Sequence, residues 1–190
     1  MPKTLLASEI DLAKLNRHHF NVHQYHQMYE AGIFGERDRL ELIYGELVTM
    51  SPINRRHAAC VNRLTYLLSR IMGNRAIVAV QNPIRLTDDS EPQPDVAILK
   101  WQDDFYSSGH PTASDIHWLI EVSDTTIGID RRIKVPLYAE SGIAETWLVN
   151  LNEDCLEVYR GSEELILRRG DRIASIAFPD VVFAVTDILG

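Results

Sequence analysis

Two apolar runs in the middle of the chain, each broken by one carboxylate, constrain it more than any other feature. Pro94-Asp95-Val96-Ala97-Ile98-Leu99-Lys100 is the first, and Trp118-Leu119-Ile120-Glu121-Val122-Ser123 is the second. Short apolar runs of this kind, bounded by polar loops, read as buried strands. Asp95 heads the first strand and Glu121 stands near the end of the second. A buried carboxylate without a partner is costly, because desolvation disfavours its charged form. Two of them therefore ask for a shared cation, for solvent at the strand ends, or for arginine partners. A hard divalent ion such as Mg2+ takes oxygen ligands, keeps several waters and needs only one or two carboxylates. The expectation is a metal site on Asp95 and Glu121.

Strand alternation puts His117, Leu119, Glu121 and Ser123 on one face of the second run, and Trp118, Ile120 and Val122 on the other. Both faces are mostly apolar, so this strand belongs in the centre of a sheet. The helix that follows has to return over the sheet near the strand's end, and Lys134 lies at its start. Its four-carbon stem is long enough to carry an ammonium to Glu121's face. Two carboxylates, an ion and an ammonium suit phosphodiester hydrolysis: the ion activates water and polarises the phosphoryl oxygen. The lysine stabilises the charge that develops or orients the water.

Around this centre the chain alternates helices and strands. Residues 10–15 suggest a short helix, and 22–31 a second one closed by Gly32. Residues 40–50 form a hairpin whose Tyr44-Gly45 turn pairs Ile43 with Glu46 and Leu42 with Leu47. Residues 55–72 are the clearest helix, with Ala59, Cys60, Leu64, Leu67, Leu68 and Ile71 as its apolar stripe and Arg56, Arg63 and Arg70 on another face. Residues 76–81 and 83–87 read as a strand that continues after a bend. A helix runs from about Asp130, as N-cap, to Ser141, with Pro136 expected to kink it or delay its start. Strands follow at 145–150, 155–160, 164–168 and 181–185. This is an α/β chain with a mixed sheet rather than a regular βαβ series. No phosphate-binding glycine loop and no GxSxG nucleophile elbow occurs.

Composition narrows the function classes. The 190 residues are 45% apolar, enough for a core, and are expected to form one domain. A net charge of −8 argues against a general nucleic-acid binder, though not against an enzyme with a local basic rim. Two cysteines, Cys60 and Cys155, make no disulfide framework and are expected to be reduced and packed. His18, His19, His23 and His26 cluster near the N-terminus without a zinc pattern, and the i,i+4 pair His19/His23 reads as a solvated helix face. No stretch approaches the roughly 18 apolar residues of a membrane helix, and the first residues lack a signal-peptide core of about 7–15, so a cytoplasmic location is expected.

Pro94-Asp95 followed by Glu121-Val122-Ser123 resembles the PD-(D/E)XK nuclease signature. More closely, the chain resembles the Uma-two family of bacterial restriction-endonuclease-like proteins. The matching pieces are residues 41–48, His57, Gln93-Pro94-Asp95, Ile120-Glu121-Val122-Ser123, residues 130–134 with Pro136-Leu137-Tyr138, and residues 142–149. They occur in family order over roughly residues 20–160, outside which residues 161–190 are assigned only strands. The resemblance implies a restriction-endonuclease-like fold, a central mixed β-sheet flanked by helices with extra C-terminal strands. It implies a Mg2+-dependent DNA endonuclease, Mn2+ being an alternative ion, with Asp95, Glu121 and Val122 at the metal. The usual signature has lysine where this chain has Ser123; in this family the lysine has migrated to the next helix, here Lys134. Glu46 and His57 are further candidates, Glu46 for positioning water or metal and His57 for bonding phosphate or Glu46. Glu41 reads as an edge residue or one that supports the site from behind, and Glu145 as the acceptor of a structural hydrogen bond. A homodimer is expected, since cutting two strands is simplest with two sites. The alternatives are a non-catalytic binding or assembly module with the same fold, and hydrolysis of RNA by the same chemistry.

Overall fold

The computed structural model describes residues 16–35 and 38–190. The expected helix at 10–15 lies outside them. Helix α1 (Val22–Glu30) begins on Asn21, whose side chain accepts from the Gln24 amide while Gln24's side chain accepts from the Asn21 amide. This reciprocal cap satisfies two donors that a helix start leaves free. His19 precedes the helix and bonds the Tyr44 carbonyl, so His19 and His23 do not share a helix face. Strands β1 (Leu40–Ile43) and β2 (Glu46–Thr49) form the hairpin in the expected register. Tyr44 and Gly45 both take positive φ, at 50° and 77°, the primed turn that matches the strands' twist.

Helix α2 (Arg55–Met72) has the expected bounds, but its buried face is Cys60, Val61, Leu64, Leu68 and Met72. Ala59 and Ile71 are exposed, so the stripe is turned slightly from the expected one. Arg56 and Arg63 do not form a free basic face: they donate to the Leu151 and Leu189 carbonyls.

Strands β3 (Ile77–Val80), β4 (Val96–Leu99), β5 (Ile116–Ser123), β6 (Thr146–Asn150), β7 (Cys155–Arg160) and β8 (Glu163–Arg168) form one sheet in that order. β5 and β6 are parallel, and the other neighbours are antiparallel. Residues 83–87 make only isolated bridges, because their amides bond to the Pro92, Pro111 and Ser90 carbonyls of neighbouring loops instead of to a strand. One face of the sheet carries Trp118, Ile120, Val122, Trp147 and Val158 against the long helix α2 and the C-terminal residues 183–189. The other carries Ala97, Leu99 and Leu119 against Ile43, Ile84, Leu137 and Tyr138.

The alternation expected along β5 holds from Trp118 onward but not at His117. A register shift between Ile98 and Leu99 pairs Ile98 with Trp118 and Leu99 with Ile116, leaving His117 as an extra residue. Such a bulge flips what lies before it. His117 therefore stacks on Phe178, on Trp118's side, while Ile116 joins Leu119.

After β5 the chain turns helical earlier than expected. Helix α3 (Ile127–Ile129) passes into a π-helical turn (Asp130–Lys134) and then α4 (Val135–Glu140). Asp130 is thus inside the helix, and its carboxylate instead accepts from Ser123 and Thr126 one turn back. Pro136 stands in the first turn of α4, which begins only at Val135, after the π-helical turn, as a delayed α-helical start requires. It falls just after the wide turn, where a residue without an N–H is accommodated. The C-terminal part contains more than strands. β9 (Arg172–Ala174) and β10 (Val182–Ala184) form their own two-stranded sheet, and α5 (Val185–Leu189) packs on α2. Both cysteines are buried and free.

Candidate active site

A cleft opens where the C-terminal end of β5 meets the hairpin, the N-terminus of α2 and the π-helical turn. Asp95, Glu121, Val122, His57 and Lys134 line it, with Glu41, Gln81, Gln93, Asp130 and Arg39. Asp95 is 9% exposed and Glu121 2%. β4 and β5 are neighbours in register, which sets these two residues side by side: the Asp95 amide points at Glu121 Oε2 at 3.4 Å.

Asp95 is held by three donors. Its Oδ2 accepts from the Val122 amide and from His57 Nε2, both at 2.9 Å, and its Oδ1 accepts from Gln81 Nε2 at 3.1 Å. Burial pushes the Asp95 carboxyl up, but these bonds outweigh it and hold the group below the usual range. The bond to Asp95 in turn raises the His57 imidazole, against its burial. His57 is oriented by its place in the first turn of α2, where the Asn54 side chain caps its amide. Its Nδ1 is buried with no partner among the described residues. Gln81 sits at the end of β3 with φ 53°, a left-handed conformation that non-glycine residues seldom take. That strained backbone aims its amide at Asp95.

Glu121 is held differently. Tyr138 donates its hydroxyl to Oε1 at 2.5 Å, and Lys134 Nζ lies 3.4 Å from the same oxygen. Lys134 is 6% exposed and also reaches Glu41 Oε2 at 3.1 Å. Burial drives the Glu121 carboxyl up to about 8; Lys134 opposes this while Asp95 and Asp130 add to it. Burial alone would lower the Lys134 ammonium, but the carboxylates of Glu121, Glu41, Asp130 and Asp95 hold it above its usual range.

Four buried acids, Glu41, Asp95, Glu121 and Asp130, thus face one lysine and one imidazole. Burial first, and this excess of carboxylate second, raise the Glu121 carboxyl, and a divalent cation would offset both. The donor set fits a hard ion: Asp95 and Glu121 supply carboxylate oxygens with lone pairs to spare, and Val122 has only a backbone carbonyl to offer. Two carboxylates suffice when waters and a phosphate complete the shell.

Of the residues singled out from the sequence, Asp95, Glu121, Val122, His57 and Lys134 come together. Glu46 does not. It lies on the same hairpin face as Val48 and Glu41, but at the turn end, beyond the cleft, where it pairs with Arg17 at 2.9 Å on a half-exposed edge. Glu41, two register pairs further from the turn on the same face, reaches the cleft and is fixed by the Gln93 amide at 3.1 Å. Sequence reasoning also passed over Asp130, Gln81 and Tyr138. A signal existed for Tyr138: it stands four residues after Lys134, the spacing that puts two side chains on one helix face. Glu145 accepts from Trp147, Arg160 and the Ile176 amide, the structural part expected of it. Arg131 is no free surface charge, for it makes a forked pair with buried Glu157.

Comparisons with known proteins bear on this arrangement. No curated protein matches the chain. Five chains of solved structures do. One is a crystal structure described as a "putative nuclease belonging to DUF820" from Anabaena variabilis, with TM-score 0.68 and 15% identity over 85% of this chain and 96% of that one. At that identity the likeness shows the fold, a mixed sheet flanked by helices. The sequence profile of the Uma2 family, described as "Putative restriction endonuclease", matches residues 22–186, so it reaches beyond the strands of the central sheet into α5. With most of its length matched, the chain belongs to the Uma2 family of restriction-endonuclease-like proteins.

Proposed function

We propose that this protein is a divalent-metal-dependent endonuclease that hydrolyses DNA phosphodiester bonds in the cleft between the hairpin and the end of β5. The observation that carries this reading is the convergence of Asp95, Glu121 and Lys134 in a pocket with more buried carboxylate than protein cation. Asp95, Glu121 and the Val122 carbonyl would hold Mg2+ or Mn2+. Once bound, such an ion supplies a water of lowered pKa and polarises a phosphoryl oxygen.

The chain's own residues do the rest. His57 and Gln81 fix the Asp95 carboxylate, and Tyr138 fixes that of Glu121, so neither has to be ordered when substrate arrives. Lys134 presents a permanent positive charge beside Glu121, where negative charge grows on the phosphoryl group. Glu41 holds that ammonium from its other side. Arg39, on the cleft's lining, is placed to meet a phosphate of the strand. Two copies acting on one duplex, in the cytoplasm, complete the reading.

The net charge of −8 favours a second reading, a non-catalytic module that keeps the fold and the ion. Calorimetric titration of the protein with Mn2+ or Mg2+, with Asp95→Asn/Glu121→Gln alongside, tests the site without needing the right DNA. Binding that disappears in the double variant supports it, and unchanged binding removes it. Supercoiled plasmid, single-stranded DNA and RNA, each assayed with wild type and Lys134→Met, then separate nuclease from module and DNA from RNA.

A further inference from the structure

A second cluster of ligand atoms lies outside the cleft. His26 on α1, Glu91 in the segment leading to β4, and His110 in the loop before β5 bring one donor atom each to within 4.8 Å of one another. Among the described residues this is the one group of three or more histidine, cysteine or acidic side chains that close. His26 Nε2 is 2.7 Å from Glu91 Oε1, and the two imidazole rings meet edge to face at 6.1 Å.

Glu91 is the telling member. It is 3% exposed, yet its Oε2 has no hydrogen-bond partner among the described residues. A buried carboxylate oxygen left this way is costly unless something absent from the chain itself satisfies it. Its backbone is fixed, for the Glu91 amide donates to the Leu42 carbonyl of the hairpin at 2.8 Å. The cluster opens onto a pocket shared with Tyr25, Tyr29, Glu30 and Gln93.

We propose that His26, Glu91 and His110 form a second metal site that takes Zn2+ or a similar transition-metal cation. Two imidazoles and a carboxylate are the ligands such ions favour, whereas the cleft's oxygen donors suit Mg2+. Ligands around zinc lie at about 2.0–2.2 Å, so the three donors close up by a small swing of exposed His110. Three protein ligands leave a fourth position open to water from the pocket. The ion would tie α1 and the loop before β5 to the segment 91–95, whose Gln93 fixes Glu41 and whose Asp95 lines the cleft. The site is thus structural support for the cleft, four residues from Asp95 and built from different side chains.

The test is titration of the metal-free full-length protein with Co2+, read by visible absorption, and with Zn2+, read by competition with a chromophoric chelator. His110→Ala, His26→Ala and Asp95→Asn/Glu121→Gln are run in parallel. His110 is exposed on a loop, so its variant tests binding without threatening the fold. The expected result is one tetrahedral Co2+ spectrum per chain, kept in the cleft double variant. Affinity should fall about a hundredfold or more in either histidine variant, since even an outer partner of a ligating histidine is worth roughly 10–100-fold. Zinc should also raise the melting temperature of wild type and of the cleft variant, but not of His110→Ala. Binding that survives both histidine changes, binding lost only in the cleft variant, or no binding at all overturns the proposal.

Discussion

Glu121 is the residue on which the cleft's electrostatics turn. Its carboxyl is raised to about 8 from an ordinary value of 4.5, with burial the first cause. A group whose pKa is raised by folding binds its proton more tightly in the native state. Its contribution is complete below pH 4.5 and is lost as pH climbs through about 8. Glu121→Gln, which keeps the acceptor for Tyr138, should therefore raise the melting temperature most above pH 8 and least near pH 5. A shift of roughly 2–4 °C is expected for each kcal/mol in a chain of this size. A melting curve series over pH 5–9 that shows a constant difference would contradict the assignment of burial to Glu121. Lys134 behaves in the opposite sense. Removing its charge leaves Glu41 and Glu121 buried without compensation, and breaking a buried pair from one side costs about 3–5 kcal/mol. Lys134→Met should lose that much in urea unfolding, and Lys134→Met/Glu41→Gln should recover part of it. Loss of cleavage by Lys134→Met counts as catalytic only with this stability difference measured.

At the scale of elements, the hairpin and the π-helical turn deliver side chains that neither strand nor helix alone would place. The hairpin was legible in the sequence because Tyr44-Gly45 permits one turn, and that turn dictates register. Its reason for glycine extends beyond φ: a Cβ on Gly45 would lie 2.6 Å from His19 Cβ. Gly45→Ala should thus destabilise the protein by about 1–3 kcal/mol, the scale of a strained backbone, and fluorescence-monitored unfolding would read it. The π-helical turn was not legible. Asp130 has the composition of an N-cap, and only the approach of Ser123 and Thr126 turns it into a buried acceptor inside the helix. Ser123, where the usual signature carries lysine, holds Asp130. Ser123→Ala should cost about 1–3 kcal/mol by leaving part of that carboxylate unsatisfied, measured by the same unfolding experiment. The same distinction explains Glu46 and Glu41. Sequence placed both on one face of a hairpin, but how far along that face the cleft extends depends on what packs there: Lys134 meets Glu41, and Arg17 meets Glu46 at the turn end.

For the whole molecule, the central sheet makes a rigid platform and the cleft sits where three connections leave it. The strands that carry Asp95 and Glu121 were readable because each is a continuous apolar run, and a run buried on both faces has few other places to go. The partnership of His26, Glu91 and His110 was unreadable because it spans 84 positions and follows from packing alone. The overall charge of −8 sets the last expectation. A chain this acidic gains nothing from long-range attraction to DNA, so binding has to come from a few local contacts such as Arg39 and Lys134. Each phosphate neutralised on duplex DNA contributes about −0.9 to the slope of log affinity against log salt. Fluorescence anisotropy of the wild-type protein without added divalent ion, so that no cleavage occurs, should give a linear fall with a shallow slope of a few such contacts. Arg39→Ala under the same conditions should weaken binding on all sequences alike and reduce the slope by about one. A slope near zero would mean that no phosphate is gripped, and would shift the reading from nuclease to a module that holds its ion for another purpose.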